Sequence, residues 1–238
     1  MYSEYVKLLD KTKYKPKLVI IPINLRSFTG SSIRRPALNF PLRQIYIRYR
    51  SKGVFEWADY LKFRFLGYED TLTDYWKDQQ VIYDGKELGT HRSIQEQSRI
   101  PESFDYNPER ETLYAKQLGI KFRYHYMAVL AEDDAMFGYI SDTINVLNKM
   151  KIPVLCYITP VNYIDGKKYV GDDFVRRIDK NLATVQYFMK KRQINIINLS
   201  KQLQPSEFID KRDVYEHYTF VGRSLIAESL AKAVATLP

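Results

Sequence analysis

"YKPKLVIIPINLRSFTGSS", residues 14–32, decides how this chain is read. Leu18 to Pro22 are five consecutive apolar residues, and after Ile23 the chain turns polar at Asn24-Leu25-Arg26-Ser27. An unbroken apolar run marks a strand buried on both faces of a parallel sheet, so residues 17–24 are expected to form one. In open α/β sheets ligands gather beyond the carboxyl ends of the strands. The polar residues after this strand are therefore expected on the functional edge.

The pattern on either side fits that sheet. Residues 2–12 read as a helix with Tyr5, Leu8 and Leu9 on one face. Residues 25–40 read as loop, and Pro41 stands where a helix can begin. Residues 42–85 read as helical in two or three pieces, with breaks at Gly53 and Gly67. The polar segment 83–109 is expected to be a long, partly ordered excursion. Residues 108–118 and 121–150 read as helices, the second with Met127, Leu130, Phe137, Ile140, Ile144 and Leu147 near a 3.6-residue period. "VLCYIT" (154–159) reads as a second strand, 172–192 as a helix and 194–200 as a third strand. Thr219 is the expected N-cap of a final helix lined by Ile226, Leu230, Val234 and Leu237. Strands alternating with helices imply an α/β fold with a parallel sheet covered on both faces. No boundary divides residues 1–238, so they are read as one domain, with 42–120 as a helical insertion or cap.

Composition narrows the function. The 238 residues are 45% hydrophobic, which suits a globular chain. The single cysteine, Cys156, excludes an intrachain disulfide and a cysteine metal site, and reads as a small buried apolar residue. No run reaches the length of a membrane span, and the N-terminal segment lacks the apolar core of a signal peptide. The net charge of +9 is dispersed over Arg34-Arg35, Arg48 to Lys52, Lys62 to Arg64 and Lys190 to Arg192. With no RNA-binding signature or zinc finger beside it, it reads as a solvated basic surface, and no nucleic acid is expected. The same charge suits an anionic envelope surface or polymer. The three histidines are too scattered for a metal site, and no cofactor is expected.

His217 is the most informative single residue. It precedes a helix start and follows Asp213 and Glu216, and a histidine oriented by a carboxylate is what a general base needs. A surface or capping role is the alternative. His125 lies among Phe122, Tyr124 and Tyr126 and reads as packing. Asn24, at a strand end, is either an oxyanion donor or a turn residue.

Three stretches resemble SGNH/GDSL-type hydrolases. "KPKLVIIPINLRSF" resembles the block in which a buried strand ends in an oxyanion-hole Asn. "KIPVLCYITPVNY" resembles the penultimate strand of members associated with cell-surface polysaccharides. "DVYEHYTFVGRSLIAESL" resembles the last block, where Asp and His precede a helix. The resemblance covers the first thirty residues and roughly 140–238. It implies a three-layer, flavodoxin-like sandwich in strand order 2-1-3-4-5, of which this chain supplies strands 3, 4 and 5. It implies Asn24 as oxyanion donor, His217 as base and Asp213 as its orienting partner. The spacing Asp213-Val-Tyr-Glu-His217 is one residue longer than the family's Asp-x-x-His, so Glu216 and Asp210 are alternatives for that role. Pro22 replaces the family's Gly, and Gly-Asp-Ser occurs nowhere. Ser27, Ser31 and Ser32 are the serines near Asn24.

The expectation is therefore the carboxyl-terminal portion of a serine esterase or O-acyltransferase acting on acyl esters, including those of cell-envelope polysaccharide. The alternative is a non-catalytic relative that binds a partner or polysaccharide. About 50–100 preceding residues are expected to hold two strands and the nucleophile. The first strand would pair along its edge with them or with another chain. Localisation follows the same fork: extracytoplasmic or membrane-associated with such a segment, cytoplasmic if Met1 is the native start.

Overall fold

The apolar run forms β1, Val19–Ile23. The structure is a computed structural model, and it describes Val6, Leu9 and residues 15–28, 80–83, 86–98, 108–210, 213–214 and 216–237. Val154–Ile158 forms β4 and Ile196–Asn198 forms β5. The three make a parallel sheet in the order β1-β4-β5. Val19 lies opposite Val154, and Cys156 opposite Ile196. Mixed α/β architecture with a parallel sheet is thus what the pattern foretold.

The burial of β1 differs from the expectation. Ile21 and Ile23 are buried, whereas Ile20 is 39% exposed. The strand is covered on one face, and among the described residues it has one neighbour, β4. Val19 donates its N–H to Pro153 O, and Ile23 O accepts from Thr159 N–H, both toward β4. By alternation the backbone groups of Ile20 and Pro22 point to the other flank. Proline is tolerated here because its missing N–H lies on the side away from β4.

Register fixes what each face buries. Ile21, Ile23, Cys156, Ile158 and the flank of Ile196 join the larger core with Leu118, Phe122, Phe137, Phe174, Ile178 and Phe188. These come from α2 (Pro108–Tyr126), α3 (Ala135–Lys149) and α5 (Asp172–Lys191). Tyr157 and Ile197, on the opposite face, pack with Leu199, Leu203, Phe208 and Ile226. Ile226 belongs to α6, Phe220–Ala235, capped by Thr219, whose hydroxyl accepts from Gly222 N–H. Cys156 is fully buried on the central strand, where burial pushes its thiol pKa up to about 12. It behaves as a small apolar residue.

Three readings need correction. Residues 80–85 were expected to be helical and 86–90 irregular, but Gln80–Tyr83 (β2) and Lys86–Thr90 (β3) pair as an antiparallel hairpin. The intervening Asp84-Gly85 is the sequence signal for such a connection. A short helix, α1 (His91–Gln97), follows within the expected excursion. The helix expected to break after residue 118 instead runs through to Tyr126, and the break falls between Met127 and Asp134. Gly119 is not a breaker, because a Cβ there would lie 2.8 Å from Tyr169 O. It lets α2 approach α4, Tyr163–Val170, closely. The expected helix 2–12 is represented by Val6 and Leu9, both helical, and the expected pieces across 42–79 lie outside the described residues.

The break after α2 is tied down by Asn181. This residue is 1% exposed in the middle of α5. Its Nδ2 donates to Ala128 O at 2.8 Å, and its Oδ1 accepts from Leu130 N–H at 3.3 Å. Asn181→Leu should leave both backbone groups buried without their partner, at a cost of about 2–4 kcal/mol. Urea denaturation checks this, and a loss below about 1 kcal/mol would show that the turn has other support.

Candidate functional site

The carboxyl ends of β1 and β4 lie side by side, and each ends in a polar side chain. Thr159 donates its N–H to Ile23 O at 3.1 Å, which sets Asn24 beside it. Asn24 opens a 3-10 turn, Leu25–Phe28. Its Oδ1 accepts from Arg26 N–H at 2.8 Å, and that bond fixes which way the amide faces. Asn24 is thus anchored in the turn through Oδ1, and its Nδ2 is turned elsewhere. It donates to Glu216 Oε2, from the segment before α6, 192 residues further along.

Glu216 is the centre of this edge. Its Oε2 also accepts from Thr159 Oγ1 at 2.6 Å, and Tyr218 OH lies 3.4 Å away. Its Oε1 lies 3.0 Å from Tyr126 OH, at the end of α2. The residue as a whole is half-buried, but the carboxyl is enclosed by these partners. Burial pushes its pKa up to about 7, against the pull of the hydrogen bonds from Thr159 and Tyr126 and the charge of Arg26. Burial likewise raises Tyr126 and Tyr218, with Glu216 adding to both, so the two phenols stay protonated.

His217 faces the other way. An antiparallel bridge joins Phe208 to Tyr218, and Ile209 donates its N–H to His217 O at 2.9 Å. Side chains alternate along such a segment, so Glu216 and Tyr218 turn inward and His217 outward. Its side chain is 67% exposed, and its Nδ1 lies 2.6 Å from Asp210 Oδ2. The contact meets the distance of an ion pair but not hydrogen-bond geometry. Asp213 is placed elsewhere: its Oδ2 pairs with Lys121 Nζ at 3.2 Å. Of the three residues singled out by sequence, Asn24 meets the loop of His217 through Glu216, and the carboxylate beside His217 is Asp210. Ser27 is half-buried and donates its N–H to Asn24 O at 3.0 Å, while Ser31 and Ser32 lie outside the described residues. His125 is half-buried, its ring edge-on to Tyr124 at 4.8 Å.

Sequence reasoning named Glu216 only as a substitute partner for His217. The sheet-edge rule selects Thr159, at the end of the second strand, but assigns it no role. Tyr126 went unread, because a tyrosine in an aromatic helix carries no signal of its own. The one available signal was alternation across Glu216-His217-Tyr218. Among the described residues no group of His, Cys, Asp or Glu is placed to hold a metal ion, and no helix is long and apolar enough to cross a membrane.

The chain matches no family model, no curated protein and no solved structure.

Proposed function

We propose that the chain is the carboxyl-terminal portion of an SGNH-type serine esterase or O-acyltransferase, acting on acyl esters such as those of envelope polysaccharide. The observation that carries the reading is the bond from Asn24 to Glu216, which joins two stretches read separately as oxyanion and base blocks at one sheet edge. A primary amide has two N–H groups. Glu216 takes one, and the second is left to meet a developing oxyanion. In the reaction a serine Oγ attacks the acyl carbonyl and His217, beside Asp210, takes its proton. The tetrahedral intermediate collapses, the proton passes to the departing alkoxide, and water or a sugar hydroxyl then takes the acyl group. The serine is proposed to come from a Gly-Asp-Ser block, which these 238 residues do not hold.

A product that carries such a block ahead of these residues should hydrolyse p-nitrophenyl acetate. His217→Ala should lower kcat about 100-fold or more. Unchanged turnover in His217→Ala, or fluorophosphonate labelling of Ser27 in the 238-residue chain, would remove this reading.

One observation favours the non-catalytic alternative. Asn24, Thr159, Tyr126 and Tyr218 close around Glu216, while the imidazole of His217 stands in solvent on the other face. A chain that only binds would need nothing more of this edge than a rigid support, and the extended product would then show no hydrolysis.

A further inference from the structure

The hydroxyl protons around Glu216 can be counted. Tyr126 OH has one hydrogen and two acceptors in reach, Val214 O at 2.9 Å and Glu216 Oε1 at 3.0 Å. Tyr218 OH has one hydrogen and lies nearer Pro160 O, at 3.0 Å, than Glu216 Oε2. Thr159 Oγ1 reaches Glu216 Oε2 at 2.6 Å against 3.4 Å to Ile23 O. Oε2 therefore accepts, from Asn24 and Thr159. Oε1 and the carbonyl of Val214 compete for the single proton of Tyr126. Tyr126 serves both at once when Oε1 carries a proton of its own and donates it to Tyr126, which then donates to Val214 O.

We propose that Glu216 is a proton-dependent latch on Val214 and residues 216–218, the segment that carries His217. With the carboxyl protonated, the chain Glu216 to Tyr126 to Val214 closes, and the segment is held to the end of α2. When the carboxyl loses its proton, Tyr126 turns its hydrogen to Oε1. The carbonyl of Val214, a residue 4% exposed, loses its donor, and the segment loosens.

The described groups around the carboxyl leave it as the one that changes inside the cluster near neutral pH. Arg26 acts on the carboxyl through its charge, and Tyr126 and Tyr218 are held protonated. Tyr157 on β4 acts on the cluster through Tyr218. Lys121, on α2, is paired with Asp213. On the outer side stand Asp210 and His217. A carboxyl pushed up to about 7 by burial matches the proton count. The latch does not rest on the acyl-transfer reading.

The test uses the full chain and two readouts. Infrared difference spectra between pH 6 and pH 8.5 should show a carboxylic-acid C=O band at the lower pH that is absent from Glu216→Gln. Deuterium exchange of peptides spanning 209–218, taken as the ratio of wild type to Glu216→Gln at each pH, should rise roughly tenfold over the same interval. The rise should persist in His217→Asn. Tyr126→Phe, which breaks the relay but keeps the ring, should exchange fast at both pH values, and it serves if Glu216→Gln does not fold. Absence of the acid band, a flat exchange ratio, loss of the rise in His217→Asn, or a protected segment in Tyr126→Phe would each overturn the latch.

Discussion

Phe174→Ala is expected to lower the unfolding free energy by about 3–5 kcal/mol, the range for deleting a buried aromatic ring. Phe174 is 0% exposed in α5 and is shared by three other rings. Its centroid lies 5.4 Å from Phe122 edge-on, and 6.2 Å from both Tyr126 and Tyr163. These rings come from α2 and from the first turn of α4, so the cavity would open where three helices meet. The neighbour that makes the test sharp is Gly166. A Cβ at Gly166 would overlap the Phe174 ring, so Gly166→Ala alone should cost about 1–3 kcal/mol through overpacking. In the Phe174→Ala background the same methyl group enters vacated space, and the double variant should lose less than the sum of the singles. Urea denaturation of the four proteins decides the matter. Strict additivity would mean that Gly166 and Phe174 do not meet.

The second large effect is a dependence of stability on pH. A buried carboxyl that titrates near 7 in the native chain rather than at 4.5 keeps its proton between those values, where the unfolded chain has released it. Raising the pH through that window therefore favours unfolding. The native state should lose about 3 kcal/mol between pH 4.5 and somewhat above 7, and little more beyond, from this group alone. Glu216→Gln supplies a neutral side chain of the same shape. Its amide can donate to Tyr126 as the acid does. Its stability should be flat across the window and exceed that of wild type at pH 8. A parallel fall in both proteins would place the titration elsewhere, and a wild-type curve that rises with pH would reverse the assigned sign.

Sequence carried the sheet better than it carried the site. β1, β4 and β5 announced themselves as apolar runs, and Thr219 ahead of an apolar stripe marked α6, because hydrophobic period and capping are local signals. The path of α2 through Gly119 was not legible, since its reason is the carbonyl of Tyr169, a contact made only by folding. The hairpin of β2 and β3 was legible in Asp84-Gly85, but residues 42–85 were read as one helical stretch that ran through it. At the site, Asn24 and the loop before α6 were chosen because they end or follow strands, and the structure does join them. Which of two adjacent residues turns inward depends on the extended backbone of 216–218 and its bridge to Phe208, so His217 drew the attention that the cluster gives to Glu216.

Pro22 also bears on what can lie along β1. A segment annealing to that flank finds the amide of Ile20 but no donor one rung on, so backbone pairing alone gives it a weak and poorly registered grip. Recognition there has to come from shape, above all from the exposed side chain of Ile20. Among the described residues that flank is open, and there the same gap works against indiscriminate stacking of copies edge to edge.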